Sequence, residues 1–169
     1  DFGCEAEFAN RIAGEILSLG LVPVIAHAER YEFVRDDVFG ALRALREAGC
    51  VIQLNRGSLE GSFGADVMEA AHFIVSNRLC DVVASDAHGA HFRTPQLSRA
   101  ADTVADETSG QYARLLFGIN PQRIIADKSI IRPRKRFRCR IKHKTLGQAR
   151  ADKAPAAQIG LYRQTAPVC

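Results

Sequence analysis

Val82-Val83-Ala84-Ser85-Asp86-Ala87-His88 is a short apolar run that ends in an aspartate, one spacer and a histidine. Such a run flanked by polar residues predicts a buried strand, and alternation along a strand puts residues i and i+2 on the same side. Asp86 and His88 are therefore expected to converge on one point. A carboxylate and an imidazole meeting at the carboxyl end of a strand are what a metal site or an acid-base site in a β/α fold requires.

Two further apolar runs lie upstream. Leu21-Val22-Pro23-Val24-Ile25-Ala26 ends in His27-Ala28-Glu29-Arg30-Tyr31, and Cys50-Val51-Ile52-Gln53-Leu54 leads into the glycine-rich Asn55-Arg56-Gly57-Ser58-Leu59-Glu60-Gly61-Ser62-Phe63-Gly64. Helical spacing fills the gaps. Phe8, Ile12, Ile16 and Leu19 form one stripe before Gly20. Val38, Leu42 and Leu45 form another between Asp36-Asp37 and Gly49, and a third helix is expected from about Ala65 to Asn77. The strand centres near Val24, Ile52 and Val83 are about thirty residues apart, the length of a βα repeat in a parallel sheet. Strand carboxyl ends then share one face, which brings His27 to the same side as Asp86 and His88. Helices are expected near Gln96 to Glu107 and Gln111 to Phe117, followed by a short one capped by Asn120-Pro121.

Composition bounds the class. The 169 residues, 47% hydrophobic, suffice for one soluble domain with a core, and no stretch approaches the roughly 18 apolar residues of a membrane span. The acidic start does not resemble a signal peptide, so the expected location is cytoplasmic. The chain begins without methionine and almost inside a helical pattern, which reads as the later part of something longer. Residues 1–127 hold eleven arginines, no lysine and eighteen acids (11 − 18 = −7), whereas 128–169 hold twelve Lys and Arg against Asp152 alone (12 − 1 = +11). The division reads as a domain over 1–131 and a basic tail over 132–169, the latter expected to be disordered. Residues 132–144, with nine basic residues counting His143 and no acid, could contact an anionic membrane or nucleic acid weakly.

Ligands of mixed nitrogen and oxygen type, His27, Asp86 and His88, suit a first-row divalent ion such as manganese, iron or zinc. Arg30 and Arg93 follow them in the loops leaving the same strands, and guanidinium forks bind phosphate oxygens bidentately, so metal plus arginine at one face points to phosphoester chemistry. The plainer reading is that both arginines form surface ion pairs, with Glu29 and Glu32 near enough in sequence to take Arg30. Other patterns fail on chemistry. Cys50 and Arg56 have the C-x5-R spacing of cysteine-dependent phosphatases, but the five intervening residues are a strand, not an anion-cradling loop. The five cysteines are unpaired in pattern, and Cys50 and Cys80 read as small buried hydrophobes. His72 and His143 have no sequence partners, and His91 is a loop residue near the site.

Taken in order, Pro23 to Tyr31, Gly57 to Gly64, Ala84 to His88, Arg93-Thr94-Pro95 and Asn120-Pro121 resemble the bacterial metal-dependent tyrosine-protein phosphatases of the polymerase and histidinol phosphatase (PHP) superfamily, which act in capsule and exopolysaccharide synthesis. The resemblance covers about residues 5–127. It implies an α/β fold, the C-terminal part of a distorted β/α (TIM-like) barrel. It also implies a centre of two or three metal ions, usually manganese, and hydrolysis of phosphotyrosine on a membrane-associated tyrosine kinase with no cysteine intermediate. His27, Asp86 and His88 then correspond to metal ligands, and Arg30 and Arg93 to catalytic and substrate-binding phosphate contacts. Ala28 stands where a proline is common. Family members open with an H-x-H strand and supply further ligands upstream, and this chain has no H-x-H, so its own activity is expected to be impaired. Two readings stay beside this one: another PHP phosphoesterase, such as a histidinol-phosphatase, and a non-catalytic fragment acting as a binding module.

Overall fold

Each of the three apolar runs becomes a strand, but only over its centre. The computed structural model describes residues 2–91 and 93–133, which fall within one compact unit, Asp1–Arg134. Strand β1 is Val24–Ile25, β2 is Val51–Asn55 and β3 is Val82–Ala84. They form a parallel sheet in the order β1-β2-β3, with Val24 opposite Val51 and Ile25 opposite Ile52, then Gln53 opposite Val82 and Asn55 opposite Ala84. The central strand β2 is buried along its whole length. This mixed α/β architecture agrees with the expected class.

Helices α3 (Val38–Ala48) and α5 (Ala65–Ser76) connect the strands, while α1 (Ala6–Ser18) precedes β1 and packs against α3. Gly20 and Gly49 end α1 and α3 with positive φ, where a side chain would be strained. The expected α1 stripe is only partly covered, with Phe8 and Leu19 exposed and Ala13 the buried residue of the helix. A short helix α2 (Glu32–Asp36) precedes α3, and the Asp37 side chain between them accepts the Gly40 N–H at 3.0 Å. The glycine-rich stretch, expected as loop, starts instead with a single helical turn, α4 (Arg56–Leu59), because the Asn55 side chain accepts the Gly57 N–H at 2.8 Å and caps it. The core is built from Leu42 and Leu45 of α3, Ile52 and Leu54 of β2, Ile74 and Val75 of α5, and Leu79, Val104, Tyr112 and Leu116.

Past β3, α6 (Ser98–Glu107) and α7 (Gly110–Arg114) appear as expected, and Ser109 caps α7 through the Tyr112 N–H. The chain then runs without a break through a π-helical turn, Leu115–Ile119, into α8 (Asn120–Ile125). Proline inside a continuous α-helix would strike the carbonyl four residues back, and the wider π turn immediately before Pro121 opens that space. Asn120 is therefore not a cap. Its buried side chain donates to the carbonyls of Asp81 (2.8 Å) and Ile131 (3.0 Å) and accepts the Ile131 N–H (2.8 Å), fixing the segment after α8.

Arg132, assigned to the tail by composition, is seated on the domain. It meets both carboxylate oxygens of Asp81, at 3.0 and 2.9 Å, and donates to the carbonyls of Arg46 and Cys50. The rest of the basic tail, Pro133 apart, lies outside the described residues, and so does most of the stretch assigned to anionic contacts. No helix among the described residues is long and apolar enough to cross a membrane.

Candidate functional site at the strand ends

The strands stop short of the residues that carry the chemistry. β1 ends at Ile25 and β3 at Ala84, so His27 and Asp86 sit on the first turns of the outgoing loops. Both adopt left-handed backbone, with φ of 54° and 52°, and Arg93 does the same at 50°. Three of the five described non-glycine residues with positive φ thus lie in this site. Such backbone costs on the order of 1 kcal/mol per residue, and it persists only where the surroundings hold it. The alternation argument for Asp86 and His88 is corrected accordingly: a turned loop brings them together, not a strand.

The end of β2 is what holds them. The His27 N–H donates to Gln53 Oε1 at 3.0 Å, which fixes the first loop to the central strand. Asn55 reaches both ways. Its backbone N–H donates to Glu29 Oε1 (3.0 Å), and its side-chain amide donates to Asp86 Oδ2 (2.8 Å). Glu29 is fully buried and also accepts the Ser58 hydroxyl at 2.5 Å, while its second oxygen has no partner among the described residues. Burial pushes the Glu29 carboxyl above the ordinary carboxylate range, with the hydrogen bonds from Ser58 and Asn55 opposing.

Arg93 pairs with Asp86 through Oδ2, so one of the two arginines is held inside the cluster. His88 Nδ1 lies 3.7 Å from Asp86 Oδ1 and 2.8 Å from the Asp86 carbonyl. A carbonyl only accepts, so Nδ1 carries the proton of this contact. The loop is closed by the His88 N–H donating to the Arg93 carbonyl at 3.0 Å. His27 is half-buried, and its Nδ1 has no partner among the described residues. Burial first, then the charges of Arg30, Arg93 and His88, lower its pKa, so the ring stays neutral at neutral pH. An imidazole with a free lone pair beside a carboxylate is part of the donor chemistry a divalent cation takes. No group of three or more His, Cys, Asp or Glu that could hold a metal ion is present among the described residues, and His27, Asp86 and His88 are no exception.

Arg30 does not pair with Glu29 or Glu32. Its guanidinium lies 4.1 Å from the Phe2 ring centre and 4.5 Å from that of Phe63. Of the remaining sequence candidates, Cys50 and Cys80 are buried free thiols whose pKa burial raises. His91 is exposed, and His72 is paired with Glu107 at 2.6 Å, a partner 35 residues away in the chain. Sequence reading missed Glu29, Gln53, Asn55 and Ser58 as parts of the site. The one available signal was Gln53, an amide within an otherwise apolar run, since Glu29 lies beyond β1 on the turn Ala28–Arg30.

A parallel α/β sheet with these residues at its carboxyl ends belongs with a defined family: the chain is a member of the capsular polysaccharide synthesis family CpsB/CapC, which matches residues 3–126. Among its relatives is the tyrosine-protein phosphatase CpsB of Streptococcus pneumoniae, 36% identical over 120 residues, covering 68% of this chain and 49% of the relative. The tyrosine-protein phosphatase YwqE of Bacillus subtilis is 29% identical over 125 residues, covering 74% and 48%. A solved structure from work on YwqE and CpsB as metal-dependent tyrosine phosphatases superposes with a TM-score of 0.70 at 28% identity, covering 79% of this chain and 53% of that one. The chain therefore spans about half the length of the relatives it matches.

Proposed function

We propose that this chain carries one part of a metal-dependent protein-tyrosine phosphatase site and that the complete site hydrolyses phosphotyrosine on a protein. The observation that supports the reading most is the assembly of His27, Asp86, His88 and Arg93 around the end of β2, with Arg30 close enough for its charge to act on His27. His27, Asp86 and His88 would supply part of the ligand set of the complete site, and manganese is the ion proposed, with iron and zinc as alternatives. When bound, a divalent cation supplies a nucleophilic water at neutral pH and neutralises charge on the phosphoryl oxygens.

The chain's own residues do the rest. Arg30 presents donors to the phosphoryl oxygens, and Arg93 contributes positive charge from beside Asp86 as negative charge spreads on the ester. Asn55 keeps the Asp86 carboxylate oriented while Gln53 holds the backbone of His27. Cys50 has no role, since burial keeps its thiol protonated. The proposed setting is the cytoplasm, with a membrane-associated tyrosine kinase as substrate protein. The family's link to capsule synthesis favours this over a small-molecule phosphoesterase.

Release of phosphate from a phosphotyrosine peptide by the chain, with and without added manganese, tests the reading. Because no complete ligand group is present among the described residues, turnover is expected to be slow and manganese to be held loosely. Activity should vanish with chelator, fall at least tenfold in Arg30→Gln, and be unchanged in Cys50→Ser. Hydrolysis that survives chelation, or that Cys50→Ser abolishes, would overturn it. Faster release from histidinol phosphate than from the peptide would move the assignment to the small-molecule class.

A further inference from the structure

Arg30, Phe2 and Phe63 are scattered in the sequence, and the fold brings them together. Phe2 is tied down just before α1, where its carbonyl accepts the Glu32 N–H at 3.0 Å, and its ring meets Tyr31 edge-on at 5.2 Å. Phe63 lies in the turn between α4 and α5. Its ring rests against Gly57 so closely that a Cβ there would come within 2.9 Å of Cε2, so the glycine makes the seat in which the ring sits. The Arg30 guanidinium lies over both rings, with its carbon 4.1 and 4.5 Å from the two ring centres.

The rest of the group is free to bind. No hydrogen bond from the Arg30 side chain and no ion pair within 4 Å is made to any described residue, although the Arg30 carbonyl is engaged by Arg35 Nη1 at 2.7 Å. A guanidinium whose faces lie against aromatic rings still has its in-plane N–H edge available, and that edge matches two oxygens of a phosphoryl group. The fixed rings also restrict the rotamers of an otherwise flexible side chain, so less freedom is lost when an anion arrives.

We propose that Phe2 and Phe63 are positioning residues, an aromatic clamp that holds Arg30 by its faces and presents its N–H edge to the phosphoryl group. The clamp rests on the phosphate role proposed for Arg30, but it assigns residues that the role alone does not need. Phe63 is the main jaw, because the Gly57 seat fixes it, and Phe2 is the second.

Binding of inorganic phosphate to the chain without metal, followed by calorimetry or phosphorus-31 NMR, isolates the clamp from turnover. Phe63→Leu should weaken binding about tenfold, and Phe63→Tyr, which keeps the ring face, should stay within about twofold of the parent. Phe2→Leu should weaken binding in the same direction, and since Phe2 is only partly buried it decides the matter if Phe63→Leu fails to fold. Arg30→Gln is the reference for complete loss. If Arg30→Gln loses binding while Phe63→Leu and Phe2→Leu keep it, the clamp is wrong and the phosphate role stands. Equal losses in Phe63→Leu and Phe63→Tyr also overturn the clamp, because the ring face then does not matter. If Arg30→Gln binds phosphate like the parent, the phosphate role fails and the clamp fails with it.

Discussion

Asp81, at the foot of β3, carries a network that no local pattern announces. Its buried carboxylate accepts the Ile52 N–H at 3.0 Å and meets Arg46 at 2.8 Å and Arg132 at 2.9 Å. Two guanidinium groups around one carboxylate leave a positive excess, so removing the negative charge leaves both arginines uncompensated in a largely dry place. Asp81→Asn is expected to lower stability by about 3 kcal/mol in urea unfolding, with the phosphate affinity of the folded protein unchanged. At the same scale, the five chemically conspicuous residues His27, Arg30, Asp86, His88 and Arg93 were legible because each follows an apolar run. Asn55 and Gln53 were not, because their roles depend on partners 26 and 31 residues away. Arg132 shows the same limit: composition groups a residue with its neighbours in sequence, while its ion pair is with a residue 51 positions back.

Elements were legible in kind and less so in extent. The Leu21–Ala26 run shrinks to a two-residue strand because only Val24 and Ile25 pair with β2, while Leu21 and Val22 remain 59% and 62% exposed. Hydrophobicity alone does not say whether a strand has a neighbour on both sides. The glycine-rich stretch was read as loop because its helical turn depends on one cap from Asn55, and α7 and α8 were read as separate helices because a π turn leaves no sequence period of its own. Asn120 is the element-scale anchor of the segment that follows α8. Asn120→Ala should cost about 2 kcal/mol in thermal or urea unfolding, since three hydrogen bonds are lost and the buried Asp81 carbonyl and the part-buried backbone groups of Ile131 lose their partner. Faster amide exchange at Ile131 should accompany it.

Across the whole molecule, the fold responds to alkali through groups remote from the site. Burial raises the pKa of the Cys50 and Cys80 thiols above their ordinary 9.0, and of the Tyr112 phenol above its ordinary 10.0. Asp81 raises Cys80 further, and Cys80 raises Tyr112 against the opposing charges of Arg46 and Arg78. A folded-state pKa above the unfolded one gives stability that is complete below the unfolded value and is lost as pH rises towards the folded one. The melting temperature should therefore hold steady from pH 7 to about 9 and decline above it. Tyr112→Phe should start lower, because it loses the hydrogen bond to the Cys80 carbonyl at 2.8 Å, and should then decline less steeply above pH 10. A decline as steep as the parent's would show that the phenol does not contribute.

The shared position of Asn55 makes the two sides of the site energetically inseparable. One residue holds Glu29 with its main chain and Asp86 with its side chain, so the histidine-bearing loop after β1 and the aspartate-bearing loop after β3 are braced on a single joint. Free-energy changes measured on one loop will then fail to add to those measured on the other. A substitution that disturbs Glu29 carries a coupling term with any substitution at Asp86, although no hydrogen bond joins those two side chains directly.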